Sequence, residues 1–225
     1  MIGILIFSSC FLTKAQNADT IFLDKGFTSG VYHECFIDPN KSSKYYKILT
    51  NFSFRKHDSE NYISELKYVK DKGDIVNKFS IKGISKKWCM LYTYKSKYYV
   101  YIPNDGGTFR RFQLTDSAAI GWNMDGPYPE ILKSFEKLSA NTYKIVAYPE
   151  LVNAEAYTLI IHIIDAKRQI AVFEYILGGT LPNRYELRVS ADKVKDFPII
   201  INKSSDAWDD FNFDKPNFEE LLKDR

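Results

Sequence analysis

Residues 88–114 read WCMLYTYKSKYYVYIPNDGGTFRRFQL, and the fold class follows from them. The stretch predicts three antiparallel strands, Trp88–Tyr94, Tyr98–Pro103 and Thr108–Leu114. Two short polar breaks separate them. The second, Asn104-Asp105-Gly106-Gly107, carries the Asp-Gly pair that a type I′ hairpin turn requires. With Lys95-Ser96-Lys97 as the first loop, Tyr94 faces Tyr98, Tyr92 faces Val100 and Met90 faces Ile102. Side chains alternate along a strand, so Trp88, Met90, Tyr92, Tyr94, Tyr98, Val100 and Ile102 share an apolar face that must be core. With Asp105-Gly106 at the next tip, Tyr101 faces Arg110 and Tyr99 faces Phe112. The second face then holds Cys89, Leu91, Thr93, Tyr99, Tyr101, Arg110, Phe112 and Leu114. Arg111 falls on the core face beside Val100, and a bulge at Arg110-Arg111 would turn it out.

The same rhythm extends outward. Segments at about 26–37, 44–55, 61–70 and 75–82 read as strands, with 61–70 compatible with either period. Beyond the central stretch, 142–148, 157–164, 169–177, 184–190 and 197–202 read as strands too. The pair 157–164 and 169–177 is apolar on nearly every side chain, as in strands covered on both faces and lying mid-sheet. Short strands separated by turn signals indicate a mainly β fold, an antiparallel sandwich or barrel. Two short helices complete it. One is predicted at 130–139, where Ile131, Leu132, Phe135 and Leu138 have helical spacing behind Pro129. The other is predicted at 217–224, opened by the capping pattern Asn217-Phe-Glu-Glu220. Residues 116–129 carry Gly and Pro punctuation without periodicity. They read as a connection between an N-terminal β half, 19–115, and a C-terminal half, 130–225, or as an internal segment of one domain, 19–225.

The 225 residues are 45% hydrophobic, 16% aromatic and 26% charged, a globular composition far from the disordered classes. The formal charge of +3 is unevenly spread: residues 41–111 hold sixteen Lys/Arg against six Asp/Glu, and residues 206–225 hold seven acidic against three basic side chains. These are solvated faces of opposite sign, or a basic surface for an anionic partner. Residues 1–12, MIGILIFSSCFL, followed by Thr13-Lys14-Ala15-Gln16-Asn17-Ala18, match the apolar core and small-residue end of a secretory signal over 1–18. They are too short to span a bilayer. No Lys or Arg precedes the run. Ser8-Ser9-Cys10 also resembles a lipoprotein box, but the apolar stretch continues through Phe11-Leu12, so ordinary export to a secreted or periplasmic location is favoured over anchoring through Cys10. Behind the signal, Cys35 and Cys89 form a disulfide or stay as two buried thiols.

No Gly-rich phosphate loop, nucleophile elbow, HExxH or CxxC pair occurs, and no cofactor is implied. His33-Glu34-Cys35 supplies one edge of a zinc site and nothing supplies the rest, so no metal is expected. His57-Asp58-Ser59 names the members of a triad, but consecutive residues cannot assemble one. His162 with Glu174 forms a proton-transfer pair if the hairpin register sets them diagonally. That pair, or carboxylates of the 116–130 connection, is the basis for an alternative reading as a secreted hydrolase. The binding candidates are Tyr99, Tyr101, Arg110 and Phe112, flat amphipathic rings with one cation that suit a small apolar or anionic ligand, or another surface component. Asp125–Pro129 is a second candidate. The export signal argues against nucleic acid as a partner. The expectation is an exported, non-catalytic binding or surface-interaction protein.

Overall fold

The computed structural model describes residues 20–28, 31–71, 76–104, 109–123, 126–148, 156–178, 181–204 and 211–223. It is mainly β, an eight-stranded closed antiparallel barrel with a second, five-stranded sheet. The first hairpin is β1 (Ile21–Thr28) and β2 (Val31–Asp38). The next two segments read as strands are helices. In α1 (Tyr45–Leu49) the buried side chains are Tyr46 and Leu49, one helical turn apart, and the Tyr46 hydroxyl donates to the Phe197 carbonyl at 2.7 Å. A strand would have sent those two side chains to opposite faces. In α2 (Lys56–Asp71) the Asp58 carboxylate accepts from the Arg55 N–H at 2.8 Å, satisfying a donor at the helix start, while Tyr62 and Leu66 turn one face to the core.

The central stretch is divided between sheets. β3 (Lys87–Met90) belongs to the barrel, whereas β4 (Tyr92–Tyr94) and β5 (Lys97–Ile102) belong to the five-stranded sheet. The chain changes sheets at Leu91, which is buried. The loop is Lys95-Ser96 alone, so Tyr92 pairs with Tyr99 and Tyr94 with Lys97. This one-residue change regroups the tyrosines. The third expected strand is β6 (Phe112–Leu114), which pairs with β3 and with β7 (Ala118–Asn123) and not with β5. The expected Asp105-Gly106 turn lies outside the described residues. Since β6 does not pair with β5, Arg111 is not set across from Val100 on a neighbouring strand. It packs among Trp122, Phe52 and Phe109, 5.6, 5.8 and 5.9 Å from the ring centres, and its Nη1 donates to the Asn51 carbonyl.

Residues read as a connection form β7 and the start of β8 (Gly126–Lys137), and the helix expected at 130–139 is the rest of β8. Its helical spacing has a physical origin. A bulge between Leu132 and Ser134 absorbs one residue, so Leu132 and Phe135, three apart, both point into the barrel. Phe135 stacks on Tyr143 there. The remaining strands lie close to the expected segments: β9 (Thr142–Tyr148), β10 (Tyr157–Asp165), β11 (Ile170–Ile176), β12 (Arg184–Ser190) and β13 (Ile199–Ser204). β10 and β11 are interior to the strand order, flanked by β9 and β12. The barrel runs β10-β11-β12-β3-β6-β7-β8-β9 and closes between β9 and β10, which leaves no edge. The second sheet runs β1-β2-β13-β5-β4, with β13 parallel to β5. A 3₁₀ helix, Ala191–Asp196, joins β12 to β13, and α3 (Phe218–Leu222) follows Asn217, whose side chain accepts the Glu220 N–H at 3.2 Å.

Two cores result. One fills the barrel, with Trp88, Phe112, Tyr143, Ile161 and Phe173. The segment 79–85 covers one end of it: the Phe79 N–H donates to the Asp116 carbonyl at 2.7 Å, the Trp88 indole to Ser85 O at 2.8 Å, and the Tyr143 hydroxyl to Gly83 O. The strand expected at 75–82 is irregular over its described residues, 76–82. The other core lies between the barrel's outer face (Cys89, Ile120, Val172, Leu187) and the sheet (Phe36, Val100, Ile199, Ile201). Cys35 and Cys89 are separate, free and buried, and burial pushes both thiols up to about 12.

Candidate functional site

β12 reads Arg-Tyr-Glu-Leu-Arg-Val-Ser, and its alternation sets Arg184, Glu186 and Arg188 on one face with Leu187 and Val189 on the other. On an open sheet the charged face would meet solvent. Here Leu187 and Val189 face the core shared with the second sheet, so the charged face points into the barrel. Arg188 is 4% exposed and Glu186 8%. The Arg188 Nε and Nη2 donate to Glu186 Oε2 at 3.0 and 2.6 Å, Nη1 donates to the Arg110 carbonyl at 3.2 Å, and the guanidinium lies over Phe173 and Phe112. Such a fork–carboxylate pair is what allows two charges to be buried.

The neighbouring strands add tyrosines and a second carboxylate. The Tyr175 hydroxyl on β11 donates to Glu186 Oε2 at 3.3 Å, and the Tyr157 hydroxyl on β10 donates to Glu130 Oε2 on β8. The two rings lie 6.0 Å apart. Tyr128 packs its ring over Gly121 of β7. A Cβ at Gly121 would stand 2.5 Å from that ring, so only glycine permits this approach without displacing Tyr128. Arg184 closes the group: its guanidinium lies over the Tyr175 ring at 4.3 Å, 3.8 Å from Glu186 Oε1, with its side chain 59% exposed. With the exposed Arg110, it is a cation of this group that reaches solvent.

The electrostatics follow from burial in the presence of charge. Burial alone would raise Glu186, but Arg188, Arg184 and Arg110 outweigh it and hold the carboxyl below its ordinary range. Tyr157 is pushed well above its usual value by burial and by the Glu130 charge, and Tyr175 upward by burial. Tyr128 is raised for the same reasons as Tyr157. All three phenols therefore stay protonated, as neutral hydrogen-bonding groups. Arg110, Arg184 and Arg188 against Glu130 and Glu186 leave one net positive charge at this end.

The four expected binding residues are split. Tyr99 and Tyr101 lie in the second sheet, buried under Phe211 and Phe213 with Tyr92 and Tyr94. Phe112 lies inside the barrel beneath Arg188, and Arg110 stands exposed at its border. The missed residues are Tyr128, Glu130, Tyr157, Tyr175, Arg184, Glu186 and Arg188. The available signal was the charged alternate face of 184–188, which reads as solvent-facing until the barrel closes.

The other sequence motifs fall elsewhere. His162 and Glu174 do meet, Nε2 to Oε2 at 3.0 Å, through the diagonal register in which His162 pairs with Val172 and Ile160 with Glu174. Glu174 also accepts from Asn183 at 2.9 Å and Tyr185 at 3.0 Å, and Tyr185 stacks on Phe218 of α3. The His162 Nδ1 is buried, with no hydrogen-bond partner among the described residues. His33 pairs with Asp24 at 3.1 Å while Cys35 is buried. Among the described residues no three His, Cys, Asp or Glu side chains converge to hold a metal ion. His57 contacts Asn61, and Asp58 pairs with Arg55. Asp125 lies outside the described residues. No described helix is long and apolar enough to cross a membrane. No protein-family model, no curated protein and no solved structure matches this chain.

Proposed function

We propose that this chain is an exported, non-catalytic binding protein that takes a small ligand with an anionic group at the tyrosine- and arginine-lined end of its barrel. The observation that supports it is the half-exposed Arg184 guanidinium stacked on Tyr175 above a buried network of protonated phenols and paired charges. Eight-stranded barrels are wide enough for side chains or one small ligand. The net positive charge favours an anion, and flat tyrosine rings suit its apolar body. The alternative, a hydrolase built on His162 and Glu174, has its pair but no nucleophile bonded to it among the described residues. The carboxylate takes Nε2, and among the described residues no hydroxyl or thiol hydrogen-bonds the buried Nδ1.

A thermal-shift screen of small carboxylates and neutral analogues tests the site. Stabilising compounds should be carboxylates, and their effect should disappear in Arg184→Gln and weaken in Tyr128→Phe. Stabilisation unchanged in both variants would place the ligand elsewhere. Export rests on the apolar run 1–12 and the small residues after it. N-terminal sequencing of the mature protein should start between Gln16 and Asp19, and a protein retained in the cytosol with Met1 intact would overturn it.

A further inference from the structure

We infer that a second binding site, independent of the barrel end, lies in a groove of about 620 Å³ between the β4–β5 turn, the β10–β11 turn and the C-terminal segment at α3. The geometry points to a small zwitterion of the short-peptide class as its occupant. The volume falls within the roughly 300–1,000 Å³ typical of small-molecule sites. Its apolar surface comes from Tyr98, Ile164 and Leu221.

The groove is preformed. The C-terminal wall is tied to the hairpin by the Asp214 N–H to Thr93 O at 2.9 Å, the Thr93 hydroxyl to Asp214 O at 2.9 Å and the Ser96 N–H to the Asp214 carboxylate at 3.3 Å. Among the described residues, three non-glycine positions have positive φ: Lys95 at 47°, Ser96 at 60° and Gln169 at 53°. All three lie in the two turns that border this groove. Left-handed backbone at residues other than glycine is unfavourable, and its confinement to one place marks a shape held against local preference.

The charges set the ligand class. Arg168 is fixed by Asp165, which accepts its Nε at 2.6 Å and its backbone N–H at 2.8 Å, and its guanidinium lies over Tyr98 at 5.4 Å. Both Nη groups have no partner among the described residues, and their paired N–H bonds match a carboxylate. Glu220 lines the groove as well, so one arginine stands against two carboxylates and the lining carries a net negative charge. A simple anion is disfavoured there. A zwitterion satisfies both walls, its carboxylate on Arg168, its ammonium on Glu220 and an apolar side chain over Ile164 and Leu221.

Isothermal titration calorimetry with leucyl-leucine, its N-acetyl form and its C-terminal amide tests this. The free dipeptide should bind, and blocking either end should weaken binding about tenfold, as loss of one charged contact does. Arg168→Gln should abolish the difference between acid and amide, and Glu220→Gln the difference between free and acetylated amine. Glu220 is exposed, so its variant reports even if Arg168→Gln disturbs the turn, which circular dichroism would reveal. Absence of binding at concentrations up to about 10 mM, or blocked peptides that bind as well as the free one, would overturn the proposal.

Discussion

Arg188 and Glu186 sit where charge costs most, inside the barrel and at most 8% exposed. Each ion loses several kcal/mol of hydration on burial, and only close pairing offsets it. The 2.6 and 3.0 Å contacts provide that pairing. Removing one partner should therefore do more harm than removing both. Arg188→Met should lose about 3–5 kcal/mol in urea unfolding, and Arg188→Met with Glu186→Leu should recover most of it. A loss below about 1 kcal/mol in the single variant would show that the pair does not hold the barrel. The pH dependence has a definite sign. Glu186 titrates below its ordinary 4.5 in the folded chain, so the unfolded state binds more protons through that window. Its contribution is whole above the ordinary value and is lost as pH falls through the folded one. Between about pH 6 and about pH 3 the urea midpoint should fall more steeply in the unsubstituted chain than in Glu186→Gln. Parallel slopes would contradict the assignment.

Elements were legible where local chemistry decided them. β10 and β11 announce themselves by two-faced apolarity, and Asn217 announces α3 by its capping side chain. The failures share one cause, a local pattern whose meaning is set by distant residues. Leu132 and Phe135 mimic helical spacing because a bulge against β9 absorbs one residue, and the bulge exists only once β9 is in place. Tyr46 and Ile48 alternate as in a strand, while Tyr46 and Leu49 share a face only in a helical turn. The common burial of Tyr46 and Leu49, with Ile48 exposed, goes with the helix. Tyr92, Tyr94, Tyr99 and Tyr101 were divided between two faces by assuming a three-residue loop, whereas the turn takes two residues despite lacking glycine. The binding face expected from the sequence shares only two residues with the barrel-end candidate. Arg110 and Phe112 reach it, and the rest comes from β8, β10, β11 and β12, whose closure into a barrel is a long-range event.

The barrel and the five-stranded sheet share a core, and this decides how the molecule unfolds. Cys89, Ile120, Val172 and Leu187 on the barrel face Val100, Ile199, Ile201 and Phe36 on the sheet. Ile199 and Ile201 are fully buried in that layer, and each such side chain stabilises the fold by roughly 1.5–3 kcal/mol. Unfolding the sheet alone would expose both sides of that layer, while the barrel lost the cover over its outer face. The two should therefore melt together, because the layer between them is common to both. Two thiols report on them separately, Cys35 in β2 of the sheet and Cys89 in β3 of the barrel. Both are buried with thiols pushed up to about 12, so neither should react in the native state. In a urea series pulsed with a thiol reagent, Cys35 and Cys89 should become reactive at the same midpoint. That midpoint should coincide with the change in tryptophan fluorescence, to which the buried Trp88 and Trp122 contribute. Labelling of Cys35 at lower urea than Cys89 would show that the sheet unfolds first and that the shared layer does not couple it to the barrel.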